Sequence, residues 1–83
     1  MSLENMAMAA NEAREQRIIR LRQMFKKMEV VTVASAVKKT GYSRKTVISW
    51  CKAGNIPLFD EIKQNTVVPI TPDNIPAWFA DFH

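Results

Sequence analysis

This chain has few of the groups that hold metals, close disulfides or run covalent catalysis. It contains one cysteine, Cys51, and one histidine, His83. No internal disulfide can therefore form, and no set of thiolate or imidazole ligands is available for a metal. The two glycines, Gly41 and Gly54, stand 13 positions apart, so there is no glycine-rich phosphate-binding loop. No nucleophile is paired with a base in any recognisable pattern, and neither enzymatic activity, a cofactor nor a small-molecule effector is expected. Long apolar runs are missing too. Nothing approaches the roughly 20 residues that cross a bilayer, and Met1 to Ala10 has neither a basic leader nor a long hydrophobic centre, so the expectation is a cytoplasmic protein with no membrane partner.

The length of 83 residues allows a domain of this size to bury only about two-thirds of the surface its unfolded chain exposes. That is enough for one core and leaves little room for an enclosed substrate cavity, so a single domain over 1–83 is expected. Apolar residues at 47% and charged residues at 24% are ordinary for a folded protein and exclude wholesale disorder.

Acidic residues are absent from one long segment. Between Val30 and Phe59 there are five basic side chains (Lys38, Lys39, Arg44, Lys45 and Lys52) and no carboxylate, although the whole chain carries only +4. Positive charge concentrated in this way is the electrostatic footprint of a nucleic-acid binder, because phosphate neutralisation releases counterions.

The same segment reads as two short helices joined by a tight turn. Thr32 caps a first helix whose apolar residues Val33, Ala36 and Val37 recur at i, i+3 and i+4, and Gly41 supplies the positive φ that ends it. Ser43 caps a second helix in which Val47, Trp50 and Cys51 share one side, with Gly54 as its expected terminator. At about 100° per residue, Lys45, Ile48, Ser49 and Lys52 face the other way. Trp50 is expected in the core, and Cys51 as a small apolar filler beside it.

The run TVASAVKKTGYSRKTVISWCKAGNIP resembles the helix-turn-helix of the MerR-like and phage excisionase-like group. The matching positions are Thr32, Val33, Ala36, Gly41, Ser43, Arg44, Thr46, Val47, Trp50, Gly54, Ile56 and Pro57. Val37 departs from the pattern, since the group commonly has a second alanine there. The resemblance implies a winged helix-turn-helix over 32–58, with a small β wing and a closing helix after it.

The flanks are read from the residues. Residues 1–10 are expected to be flexible, and 11–29 to form an N-terminal helix whose stripe of Ile18, Leu21, Phe25 and Met28 packs on the two-helix unit. Two short extended stretches around a polar loop in 58–70 suggest a hairpin wing, with Pro69 at an edge or strand end and Lys63, Gln64 and Asn65 near the tip. A plain surface loop is the competing reading, because Asp60 and Glu61 would repel a phosphate backbone. Thr71 or Asp73 can cap a last helix over 72–82, with Asn74-Ile75-Pro76 as its first turn and Ile75, Trp78, Phe79 and Phe82 as core or interface residues. The expected fold is thus mostly α: a long N-terminal helix, a helix-turn-helix, a short hairpin and a C-terminal helix.

The function that follows is sequence-specific binding of double-stranded DNA, as a small bacterial, phage or plasmid transcription regulator or an excisionase-like architectural factor. The second helix, 43–53, would enter the major groove with its N-terminal residues nearest the bases. Lys45 and Ser49 are candidates for base contacts, and Ile48 for a thymine methyl. Arg44 would serve the groove edge or the backbone. Lys38, Lys39 and Lys52 would hold phosphates, with Tyr42, Ser43, Lys63 and Asn65 as further contacts. One recognition helix reads few base pairs, so a homodimer or a cooperative array on repeated sites is expected. The alternatives are a protein-interaction adaptor and a phage DNA-packaging subunit with the same fold.

Overall fold

The computed structural model describes residues 3–76 and Phe79, with side chains from Ala13 onward. Three helices, α1 (Leu3–Lys26), α2 (Val33–Thr40) and α3 (Arg44–Gly54), precede an antiparallel two-stranded hairpin of β1 (Phe59–Asp60) and β2 (Asn65–Thr66). The chain is therefore a small, mostly helical domain with one hairpin.

α1 starts well before Asn11 and stops short of Glu29. Leu3 to Ala10 reads LENMAMAA, mostly strong helix formers with no glycine or proline, so nothing breaks the helix there and the expected flexible segment is helical from Leu3. At the other end the Met28 amide donates to the Phe25 carbonyl (3.1 Å) and the Glu29 amide to that of Met24 (2.9 Å). These crossed bonds are a Schellman closure. Met28 takes the left-handed position (φ 62°) and turns outward, 55% exposed. It therefore leaves the expected stripe, of which Ile18, Leu21 and Phe25 alone are buried.

α2 begins in a capping box. The Thr32 hydroxyl accepts from the Ser35 amide (3.0 Å), and Ser35 Oγ accepts from the Thr32 amide (3.1 Å), with serine in the place more often held by glutamate. The helix ends at Gly41, whose φ of 78° lets its amide reach the Val37 carbonyl. Three residues, 41–43, then lead into α3, where Ser43 Oγ accepts from the Thr46 amide (3.2 Å).

The end of α3 differs from the expectation. Asn55, not Gly54, adopts the left-handed conformation (φ 55°) and closes the helix, and Gly54 is its last helical residue. Gly54 is needed for another reason. A Cβ built there would lie 2.5 Å from Ile18 Cγ2 and 3.2 Å from Ile56 Cδ1, so the missing side chain sets how closely α1 approaches α3. Arg22 of α1 seals the same corner, its Nη2 donating to the Gly54 carbonyl at 2.6 Å. A cation at a helix C-terminus also opposes the partial negative charge there.

The core has α3 at its centre, with α1 and α2 both packed on it. Leu21, Val33, Ala36, Val47, Cys51 and Leu58 are completely buried, and Trp50 is 4% exposed. Val37, the position that departs from alanine, is half-buried against this cluster. The hairpin is tied to the start of α2: the Phe59 amide donates to the Val31 carbonyl (3.0 Å), and Thr32 pairs with Phe59 in a parallel bridge. Phe59 then faces Thr66 and Asp60 faces Asn65. Of the β-branched run 66–70, Thr66 lies in the strand and the Val67 amide adds a bond to the Leu58 carbonyl (2.9 Å), so Pro69 lies beyond the strand end.

Residues 72–74 form a turn and bend and 75–76 have no regular structure, so 72–76 are not the first turn of a helix. Asn74, 8% exposed, organises them. Its Oδ1 accepts from the Thr71 amide (2.6 Å), while Nδ2 donates to the Pro69 carbonyl (3.0 Å) and to Asn55 Oδ1 (2.8 Å). These bonds hold the backbone at Asn74 and fasten this segment to the end of α3. Ile75, expected as a core or interface residue, is 51% exposed and so not in the core, and Phe79 is half-buried. The rest of the expected helix at 77, 78 and 80–82, including Trp78 and Phe82, lies outside the described residues.

Gly54→Ala should destabilise the fold by about 1–3 kcal/mol through overpacking, although alanine favours a helix over glycine. Urea unfolding of Gly54→Ala, Ile18→Ala and the double variant should show a coupling energy of about 0.5–3 kcal/mol. Additive losses would contradict the close approach.

Candidate nucleic-acid interface

α3 presents Lys45, Ser49 and Lys52 to solvent, because its opposite side is taken up by Val47, Trp50, Cys51 and Gly54. Ile48 does not stand fully outward. It is half-buried and packs against the core where α3 meets the hairpin, leaving an edge of the side chain accessible. Ile48, Lys52, Lys63 and Asn65 line one shallow groove between α3 and the hairpin. Four residues chosen separately from the sequence are thus neighbours in space, and Lys45 and Ser49 continue the same face along α3.

The other candidates divide between two flanks. Lys38 stands on the hairpin side of α2, at the edge of an apolar groove that includes Val33, Val37 and Ile62. Lys39 points to the α1 side, where its Nζ lies 3.6 Å from Glu29 Oε1 with both side chains nearly half exposed. Tyr42, in the turn, packs edge-on against Trp50 with ring centroids 4.7 Å apart, and the Arg17 guanidinium lies 5.4 Å from the centre of its ring. The Ser43 hydroxyl is engaged as the α3 cap and also bonds to Thr46 Oγ1 at 2.9 Å.

Arg44 is engaged inside the fold. Its Nη2 donates to Asp60 Oδ1 at 2.5 Å in an ion pair whose carboxylate is 4% exposed, so it fastens the hairpin to α3. Asp60 also accepts from the backbone amides of Ile62 (3.1 Å) and Lys63 (3.2 Å). The bond from Arg44 holds the Asp60 carboxyl below its ordinary pKa; burial opposes this, and the two amides reinforce it.

Glu61 is also turned inward. Its Oε1 accepts from the Ala34 amide at 3.1 Å, placing a carboxylate at the N-terminus of α2, where the helix dipole favours it. Burial pushes the Glu61 pKa up, but hydrogen bonds from its own amide, the Ala34 amide and the Thr32 hydroxyl, with the Arg44 charge, bring it below the ordinary value. The two carboxylates expected to repel a phosphate backbone are therefore consumed by Arg44 and by α2.

Cys51 is fully buried, and burial raises its pKa to about 12. Its thiol stays protonated and acts as apolar filling. Among the described residues there is no group of three His, Cys, Asp or Glu side chains that could hold a metal ion, and no helix is long and apolar enough to cross a membrane.

Reading the sequence missed two arginines with local roles, Arg22 at the end of α3 and Arg17 over Tyr42. Both sit away from the buried stripe of α1, and their targets are near only in three dimensions. Comparison of the chain with protein-family models, curated proteins and solved structures finds no match.

Since Asp60 and Glu61 titrate below the ordinary carboxyl range of about 4, their contribution to stability is complete above that range. It is lost as pH falls through the depressed values, where the unfolded chain binds more protons. Urea midpoints should drop more steeply below pH 4 for the wild type than for Asp60→Asn with Glu61→Gln. Parallel profiles would contradict the assigned bonds.

Proposed function

We propose that this chain is a sequence-specific double-stranded DNA-binding protein in which α2 and α3 act as a helix-turn-helix and α3 enters the major groove. The observation that carries the reading is the grouping of Lys45, Ser49 and Lys52 on α3 with Lys63 and Asn65 of the hairpin, next to an Asp60 carboxylate whose charge is paired with Arg44. Lysine can donate to guanine O6 and N7, and serine can pair with several bases. Lys52 and the hairpin residues supply backbone contacts that set the register, and the hairpin acts as a wing. The likeness of TVASAVKKTGYSRKTVISWCKAGNIP to the MerR-like and excisionase-like motif supports the same assignment, and with it a role as a small transcription regulator or architectural factor acting as a dimer or a cooperative array.

A protein-interaction adaptor is the second reading. It is favoured by the apolar groove of Val33, Ala34 and Val37, beside which Ile62 is 74% exposed.

Fluorescence anisotropy on the chain's own upstream DNA and on a scrambled duplex separates the two. Lys45→Ala with Ser49→Ala should lose about 1–3 kcal/mol for each good base contact removed, on the specific duplex only. Equal, salt-sensitive binding to both duplexes would indicate an architectural role without sequence reading. No binding to either at low salt would sink the DNA reading and bring the adaptor forward.

A further inference from the structure

The α1 side of the turn carries charge that the recognition face does not use. Arg17 and Arg20, three apart on one side of α1, and Lys39 of α2 line an open cleft of about 280 Å³ that is floored by Tyr42 and Trp50. All three cations are exposed. Arg22, two residues further on, is by contrast already bonded to the Gly54 carbonyl.

We propose that this cleft takes a phosphodiester of the same duplex that α3 reads, so that the protein grips DNA on both sides of α3, through the hairpin on one and α1 on the other. The inference rests on the DNA-binding reading above and adds a second backbone site to it.

Three observations carry it. Arg17 is already oriented: its guanidinium lies over the Tyr42 ring, and Tyr42 is itself wedged edge-on against the buried Trp50. A guanidinium held in this way presents a rigid fork of donors that matches phosphate oxygens. Next, the described ion pair at the cleft joins Lys39 to Glu29 at 3.6 Å with both partners solvated; exposed pairs of this kind are weak and exchange readily for a phosphate. Finally, the cleft borders the turn. Tyr42 precedes Lys45 by three residues, and a recognition helix docks with its N-terminal residues deepest in the groove. The phosphate strand flanking that groove then passes the turn, and with it Arg17 and Arg20.

Phosphate contacts carry no sequence information, so the expected signature differs from that of Lys45 and Ser49. In a salt series by anisotropy, Arg17→Gln with Arg20→Gln should weaken binding to specific and scrambled duplexes by the same factor and leave discrimination unchanged. The slope of log K against log salt should become shallower by about 0.9, the loss of one phosphate contact. Lys39→Gln, which leaves α1 intact, should lower the slope in the same direction and by no more than that, an independent reading if the double variant folds poorly. Lys26→Gln with Lys27→Gln removes equal charge from the far end of α1 and should leave the slope at the wild-type value.

If Lys45→Ala with Ser49→Ala abolishes discrimination while the Arg17, Arg20 and Lys39 variants keep the wild-type slope, the cleft is not a phosphate site and the DNA reading stands. An equal slope loss in the Lys26 and Lys27 variant would reduce the effect to net charge and overturn the site. A wild type that binds no duplex overturns both.

Discussion

Gly54 lets α1 come close enough to α3 for Ile18 to lie over its backbone, and the rest of the domain is arranged around that contact. With Ile18 seated there, Leu21 and Phe25 fall one and two turns further along α1, into the space that Val47, Trp50 and Cys51 close from α3. Arg22 is brought within reach of the Gly54 carbonyl, and Asn55 turns left-handed to send the chain back through Ile56 and Leu58 under the core. A side chain at position 54 would separate the two helices and disturb the core cluster that α1, α2 and α3 share. The outward face of α3 is fixed by what its inner face buries. The orientation of Lys45, Ser49 and Lys52 is thus a consequence of helix packing, not of any bond those residues make.

Electrostatics completes the arrangement. A hairpin of two-residue strands has too little ladder to hold itself, and here it is held by the Arg44–Asp60 ion pair and by hydrogen bonds from the Ala34 amide of α2 to Glu61 and from the Phe59 amide to Val31. These bonds use the acidic residues nearest the candidate interface and leave its lysines unopposed. The segment free of carboxylates in the sequence and the inward-turned carboxylates just after it have the same result, a positive surface around α3. Arg17 and Arg20 extend that surface past the turn on the α1 side.

Local signals were readable in the sequence, and contacts between distant segments were not. Thr32, Gly41 and Ser43 act through bonds to residues three or four away, so their identities alone announce the caps. The apolar spacing of Val47, Trp50 and Cys51 likewise identifies the inner face of α3. Gly54 shows the limit. A glycine at a helix end reads as a terminator, yet Asn55 takes the left-handed turn and Gly54 serves a partner 36 positions earlier. The charge of Arg44 fits a DNA contact, and its partner Asp60, 16 positions on, becomes visible only when the hairpin folds back. Met28 matched the apolar stripe of α1 by periodicity, but the Schellman closure two residues past the helix rotates it away. Residues 72–76 looked like a helix start because proline is welcome in a first turn, whereas the buried Asn74 side chain bonds the backbone into another path.

In the proposed function one continuous surface, α3 with the hairpin on one side and the turn on the other, meets duplex DNA. The most direct test follows backbone amide chemical shifts by NMR as the wild-type protein is titrated with its upstream duplex. The largest changes should fall at 42–52 and 63–65, with smaller ones at 17–20. Changes confined to 33–38 and 62, around the apolar groove, or no change at saturating duplex, would contradict that function.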